Sequence, residues 1–125
     1  MGKAEEFAKL GVKLQNSQWS WSGKSDDGDT VALTLWRHKI TNGGKFYCDD
    51  VKEIAQLNLG AKYRIEHLKY AKEKLGGRFK AVIAVAKDEA AELLLAKRYY
   101  AWQGVEWRIE DFDESTGSFT AWGTQ

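Results

Sequence analysis

Proline is missing from this chain, and cysteine and methionine occur once each. A single thiol, Cys48, forms no internal disulfide, so nothing points to an oxidising compartment and a cytoplasmic location is expected. Long apolar runs are missing too. No stretch approaches the roughly 20 residues that span a bilayer, and Met1 to Leu10 mixes acidic and basic residues without the apolar centre of a signal peptide. A membrane partner is therefore not expected. The chain also lacks Gly-x-Gly-x-x-Gly, a phosphate loop ending in Gly-Lys-Ser or Gly-Lys-Thr, Gly-x-Ser-x-Gly and His-Glu-x-x-His. These absences weigh against an enzyme, imply no cofactor, and leave binding as the expected mode of action.

What is present is ordinary in bulk and uneven in detail. With 125 residues, 43% hydrophobic and 30% charged, the chain fits one globular domain over residues 1–125. Its net charge of +1 conceals a segregation. Residues 60–80 hold seven Lys or Arg against Glu66 and Glu73, a net of +5, whereas residues 81–125 hold four basic and eight acidic residues, a net of −4. Such polarity predicts one surface that attracts anions and another that repels them. The other excess is aromatic: six Trp, five Tyr and five Phe. Trp offers a large contact area for little conformational entropy, so it concentrates in cores, interfaces and base-stacking sites.

Ala4, Phe7, Ala8 and Leu10 are spaced as on a short helix that Gly11 would stop. Trp19-Ser20-Trp21-Ser22 alternates with period two, as in a strand with both indoles on one face. The Asp27-Gly28 step predicts a reversal into a strand from Thr30 to Ile40. Val31, Leu33, Leu35 and Arg37 would share one of its faces, and Ala32, Thr34, Trp36 and His38 the other. Asn42-Gly43-Gly44 turns the chain into a third strand, Lys45 to Cys48.

Ala61 to Leu75 is the clearest helix, with Ala61, Ile65, Leu68, Ala71 and Leu75 as its apolar stripe and Gly76-Gly77 as its stop. Phe79 to Ala86 reads as a central strand buried on both faces, and Asp88 to Ala96 as a third helix. Tyr99 to Phe112 and Ser118 to Trp122 read as a closing hairpin. Adjacent hairpins make the sheet largely antiparallel. The expected fold is α+β, a curved sheet or open barrel with two to three helices packed on it.

Four groupings could carry chemistry. His38, His67 and Cys48 are zinc donors by type, although their spacing matches no metal module; the alternative is a small hydrophobe and two surface imidazoles. Asp26, Asp27 and Asp29, with Asp49 and Asp50 elsewhere, could hold a divalent cation for phosphodiester hydrolysis, although the first cluster falls in a hairpin turn, where Asp serves for its backbone hydrogen bonds alone. No metal is expected from either set. Arg64, His67, Lys74 and Arg78 could contact phosphates by displacing counterions, or belong to a solvated helix face with Glu–Lys pairs. Trp19, Trp21 and Trp36 could stack on bases, with Arg37 or His38 supplying polar contact; the competing arrangement buries Trp21 and Trp36 and leaves only Trp19 outside.

Trp19-Ser20-Trp21-Ser22-Gly23, the strand Ala32-Leu33-Thr34-Leu35-Trp36 and the basic helix together resemble the small aromatic-lined domains of the PUA and EVE type, over residues 15–85. The resemblance implies a nucleobase held against Trp19 or Trp21 and phosphates guided by Arg64, Lys74 and Arg78. The expected function is thus a non-catalytic module binding DNA or RNA, in restriction, modification or phage defence. The acidic final third departs from that picture, since it would repel nucleic acid on a shared surface. It motivates the rival expectation of an adaptor or inhibitor that engages a host protein through aromatic and acidic residues. A homodimer is compatible with both.

Overall fold

In chain order, the computed structural model consists of α1 (Lys3–Lys9), β1 (Ser22–Lys24), β2 (Val31–Trp36), a 3-10 turn (Arg37–Lys39), β3 (Ile40–Thr41), β4 (Phe46–Asp49), α2 (Leu59–Lys74), β5 (Arg78–Ala86), β6 (Ala96–Phe112) and β7 (Phe119–Thr124). It describes residues 3–14, 22–41, 43–49, 59–88, 96–114 and 118–124. The seven strands form one sheet in the order β1-β2-β5-β6-β7-β4-β3. Every neighbouring pair is antiparallel except β2 and β5. The fold is therefore α+β, with a mostly antiparallel sheet and two helices among the described residues. The third expected helix falls on residues 89–95, outside the described residues, and its last residue, Ala96, opens β6. No helix among the described residues is long and apolar enough to cross a membrane.

The apolar runs of β2 and β5 put these strands in the sheet interior, where both faces are buried. Val31, Leu33 and Leu35 enter the main core with Phe79, Ala81 and Ile83, while Ala32 and Val82 pack on the opposite side against Phe7, Leu10, Val12 and Leu14. α2 covers the first side through Leu68 and Ala71, and α1 covers the second. The β1–β2 hairpin turns as its composition demands. The Asp27 carboxylate accepts the Ser25 hydroxyl at 2.6 Å and the Asp29 N–H at 3.0 Å, and Gly28 takes φ 77°. The Tyr70 hydroxyl donates to the Gly28 carbonyl at 2.8 Å, tying this turn to α2.

The strand expected from Thr30 to Ile40 ends early, at Trp36, and Arg37 and His38 lie in the 3-10 turn. The cause is non-local: the Trp36 N–H donates to the Tyr47 hydroxyl at 3.3 Å, and the chain must leave β2 to reach β3 at the far edge. Five strand spacings would separate β2 from β3 by roughly 24 Å in a flat sheet, whereas the intervening turn reaches at most about 14 Å. The sheet must curl to bring its ends together.

β6 serves two neighbours. Ala96–Trp102 pairs with β5 alone, Trp107 and Arg108 pair with both β5 and β7, and the rest of Glu106–Phe112 pairs with β7. Between the pairs Phe79↔Trp107 and Ala81↔Trp102, one β5 residue faces four of β6, an irregularity that bends the strand. α1 seals the edge of β6 that β7 does not reach: the buried Glu6 carboxylate accepts the Ala101 N–H at 2.9 Å and meets Lys9 at 3.0 Å. Trp107 occupies the core centre, stacked with Phe79 at 6.4 Å and edge-on to Trp102 at 6.1 Å. Gly123 of β7 lies flat against it, because a Cβ there would come within 3.0 Å of Val105 and 3.1 Å of the Trp107 ring.

Candidate functional site

The basic segment does not form one exposed cluster. The observed buried row of α2 is Arg64, Leu68 and Ala71, so a cation occupies a place that the apolar stripe did not include. Its guanidinium lies over the Phe119 ring at 5.6 Å. His67 faces β1, and its Nδ1 stands 2.6 Å from the Ser22 hydroxyl, which donates when the ring proton sits on Nε2. Burial, aided by the Lys24 charge, lowers its pKa to about 4. Arg78 closes the helix end by donating from Nε to the Leu75 carbonyl at 2.8 Å. Of the four, Lys74 is the one exposed α2 side chain, and the outward face also carries Lys62, Glu66, Lys69 and Glu73, spaced three and four residues apart.

The tryptophan group is also divided. Trp19 and Trp21 lie outside the described residues. Trp36 is 8% exposed and packs with Ala84, Ala86 and Tyr99, so it offers no open stacking surface; Arg37 is exposed in the turn beside it. Asp27 is engaged in its hairpin turn. Cys48 projects from β4 on the face opposite Tyr47, away from α2 and His67. Among the described residues, no three His, Cys, Asp or Glu side chains converge as metal ligands.

The closing hairpin supplies tryptophans for which the sequence leaves core and surface equally open, and the structure assembles an exposed surface around one of them, Trp122. In β7, Phe119, Ala121 and Gly123 point inward, which turns Thr120, Trp122 and Thr124 outward. The same alternation turns Phe46 and Cys48 outward on β4, and Glu106, Arg108 and Glu110 outward on β6. Register then aligns Arg108, Trp122, Phe46 and Thr41 in a row across four strands. α2 lies against the reverse of this face, and α1, on the same outer side of the sheet, packs farther along it over Ala32, Val82 and Ala101.

Trp122 is the one large hydrophobic side chain left open among the described residues, at 40% exposure. It is held in place. Its ring lies 4.6 Å from that of Phe46, tilted by 53°, and its Nε1 donates to Glu110 at 2.8 Å. The other Glu110 oxygen accepts the Thr120 hydroxyl at 3.3 Å. Toward the β6–β7 turn the face opens into a depression of about 400 Å³ bordered by Cys48, Asp111, Phe112, Asp113 and Thr120. Glu106, Glu110, Asp111 and Asp113 oppose a single β6 cation in this area, Arg108, whose stem leans beside Gly77 at the edge away from β7. These carboxylates thus lie on the side of the sheet opposite α2.

Comparison with protein-family models, curated proteins and solved structures found no match to the chain.

Proposed function

We propose that this protein is a non-catalytic protein-binding module, an adaptor or inhibitor, that docks its partner on the outer face of β6, β7 and β4. One observation carries the reading: Trp122 is exposed yet immobilised by Phe46 and Glu110. Exposing an indole to water is unfavourable, and fixing its orientation reduces the entropy lost when a partner covers it. Such rigid aromatic anchors surrounded by polar groups are typical of interaction hot spots. The nucleic-acid reading would rest instead on Lys62, Lys69, Lys72 and Lys74 of α2, which alternate with Glu66 and Glu73.

The two readings separate in one experiment. Tagged full-length protein, Trp122→Ala, and Lys62→Glu/Lys69→Glu are purified from cell extract with and without nuclease. A defined protein that survives nuclease, is lost with Trp122→Ala and is kept by the lysine variant supports docking on the sheet. Retention that nuclease or the lysine variant abolishes transfers the function to α2 and a nucleic acid.

A further inference from the structure

We infer that Trp122 and Glu110 form a subsite for a guanidinium, so that the partner presents an arginine within a basic segment. This deepens the docking reading and rests on it. The indole is engaged at its N–H edge by Glu110 and on one side by Phe46, and its remaining surface accounts for its exposure. An indole N–H donating to a carboxylate places negative charge beside the electron-rich ring face, and both attract a cation. Thr120 holds the second carboxylate oxygen, so the acid is oriented before any ligand arrives.

Charge complementarity fixes the sign of the occupant. Glu106, Glu110 and Asp111 line the β6 side of Trp122 and outnumber the nearby cations Lys45, next to Phe46, and Arg108, the cross-strand neighbour of Trp122, whose stem lies toward Gly77. An anionic ligand would meet net repulsion here, whereas a basic one is drawn in. Geometry favours arginine over lysine. A planar guanidinium stacks on an indole while its N–H fork reaches the adjacent carboxylate, a combination that a hydrated ammonium does not reproduce.

The full-length protein is titrated with octa-arginine, octa-lysine and octa-glutamate peptides. The Trp122 indole N–H resonance is followed by NMR, assigned by its disappearance in Trp122→Phe. The expected results are that octa-arginine shifts this resonance, that it binds at least about threefold more tightly than octa-lysine, and that octa-glutamate leaves the resonance unmoved. Trp122→Ala, followed through the backbone amide resonances of Glu110 and Thr120, should weaken binding about fivefold. Glu110→Gln keeps an acceptor for the indole N–H and removes only the charge, so it should weaken binding about threefold without disturbing the fold. Arg108→Ala, which removes the competing cation, should strengthen it. Equal affinity for the lysine peptide, or arginine binding that ignores Trp122→Ala and Glu110→Gln, would overturn the inference. If the protein partner of the docking experiment is lost with Trp122→Ala yet is neither displaced by octa-arginine nor weakened by Glu110→Gln, the docking reading stands and the guanidinium subsite falls.

Discussion

Acidification should cost this protein stability through His67 well before its carboxylates are all protonated. The ring sits between α2 and β1 against Ser22, and burial together with Lys24 lowers its pKa from the ordinary 6.5 to about 4. The unfolded chain therefore binds more protons at this residue than the native one throughout that interval. The associated stability is complete above about pH 6.5 and is lost as pH falls toward 4. A displacement of about 2.5 pH units corresponds to at most about 3 kcal/mol, and solvent screening of the partly exposed ring reduces this to about 1–2 kcal/mol.

Urea unfolding of the wild type and His67→Gln at pH 7.5, 6.5, 5.5 and 4.5 would measure the effect. Both proteins retain every carboxylate, so the difference between their pH profiles isolates the imidazole. The wild type should lose about 1–2 kcal/mol more than the variant between pH 7 and 4.5. The chain has two histidines, so their ring signals can be assigned with the same variant and His67 titrated directly in the native state. Ser22→Ala should raise its pKa, because that hydroxyl favours the neutral ring by donating to Nδ1. Superimposable stability profiles, or a native His67 that titrates near 6.5, would refute the reasoning.

Glu6→Ala should destabilise the protein by about 1–3 kcal/mol in urea unfolding, since it strands the Ala101 N–H at an edge that no described strand covers. The Ala101 N–H, followed by Lys9, holds the Glu6 carboxyl below its ordinary 4.5, so its contribution should be present above that pH and fade as pH falls further. Gly123→Ala should cost about 1–3 kcal/mol by forcing a methyl group into Trp107 and Val105, measurable as a lower urea midpoint with an unchanged slope. Tyr70→Phe should cost about 1 kcal/mol by freeing the Gly28 carbonyl, and should increase amide exchange in the β1–β2 turn. Trp107→Ala should lose about 3–5 kcal/mol, whereas Trp122→Ala should change stability by less than about 1 kcal/mol, a contrast visible in thermal melts.

The parts of the fold legible from sequence are those determined by local pattern. The alternation in Val31–Trp36 and the apolar run of Arg78–Ala86 identify the buried strands because each residue's face follows from its position in a pleat. The turn at Asp27-Gly28 is equally local, being built from its own side chains. Where pattern failed, a distant partner intervened. The end of β2 depends on the Tyr47 hydroxyl, and the burial of Arg64 depends on the Phe119 ring, far along the chain in β7. The bend in β6 depends on sharing one strand between two partners, and nothing in the sequence from Ala96 to Phe112 announces how that sharing is divided.

The candidate site shows the same distinction at the level of function. A tally of charge along the chain separates a basic from an acidic block, and among the described residues Lys62, Lys69, Lys72 and Lys74 lie on α2 while Glu106, Glu110 and Asp111 lie on the second half of β6, on the other side of the sheet. Charge along the chain does not reveal which aromatic accompanies the acid. Trp107 and Trp122 come from the same closing hairpin, yet one is wholly buried and the other is the most open large hydrophobe described. The deciding feature is Gly123, whose missing side chain admits the Trp107 ring on the inner face and thereby fixes the parity of β7. With Gly123 inward, Trp122 must turn outward, where register sets it beside Phe46 and within reach of Glu110. The docking surface is therefore a consequence of core packing: the same small residue that completes the core forces the indole into solvent on the acidic side.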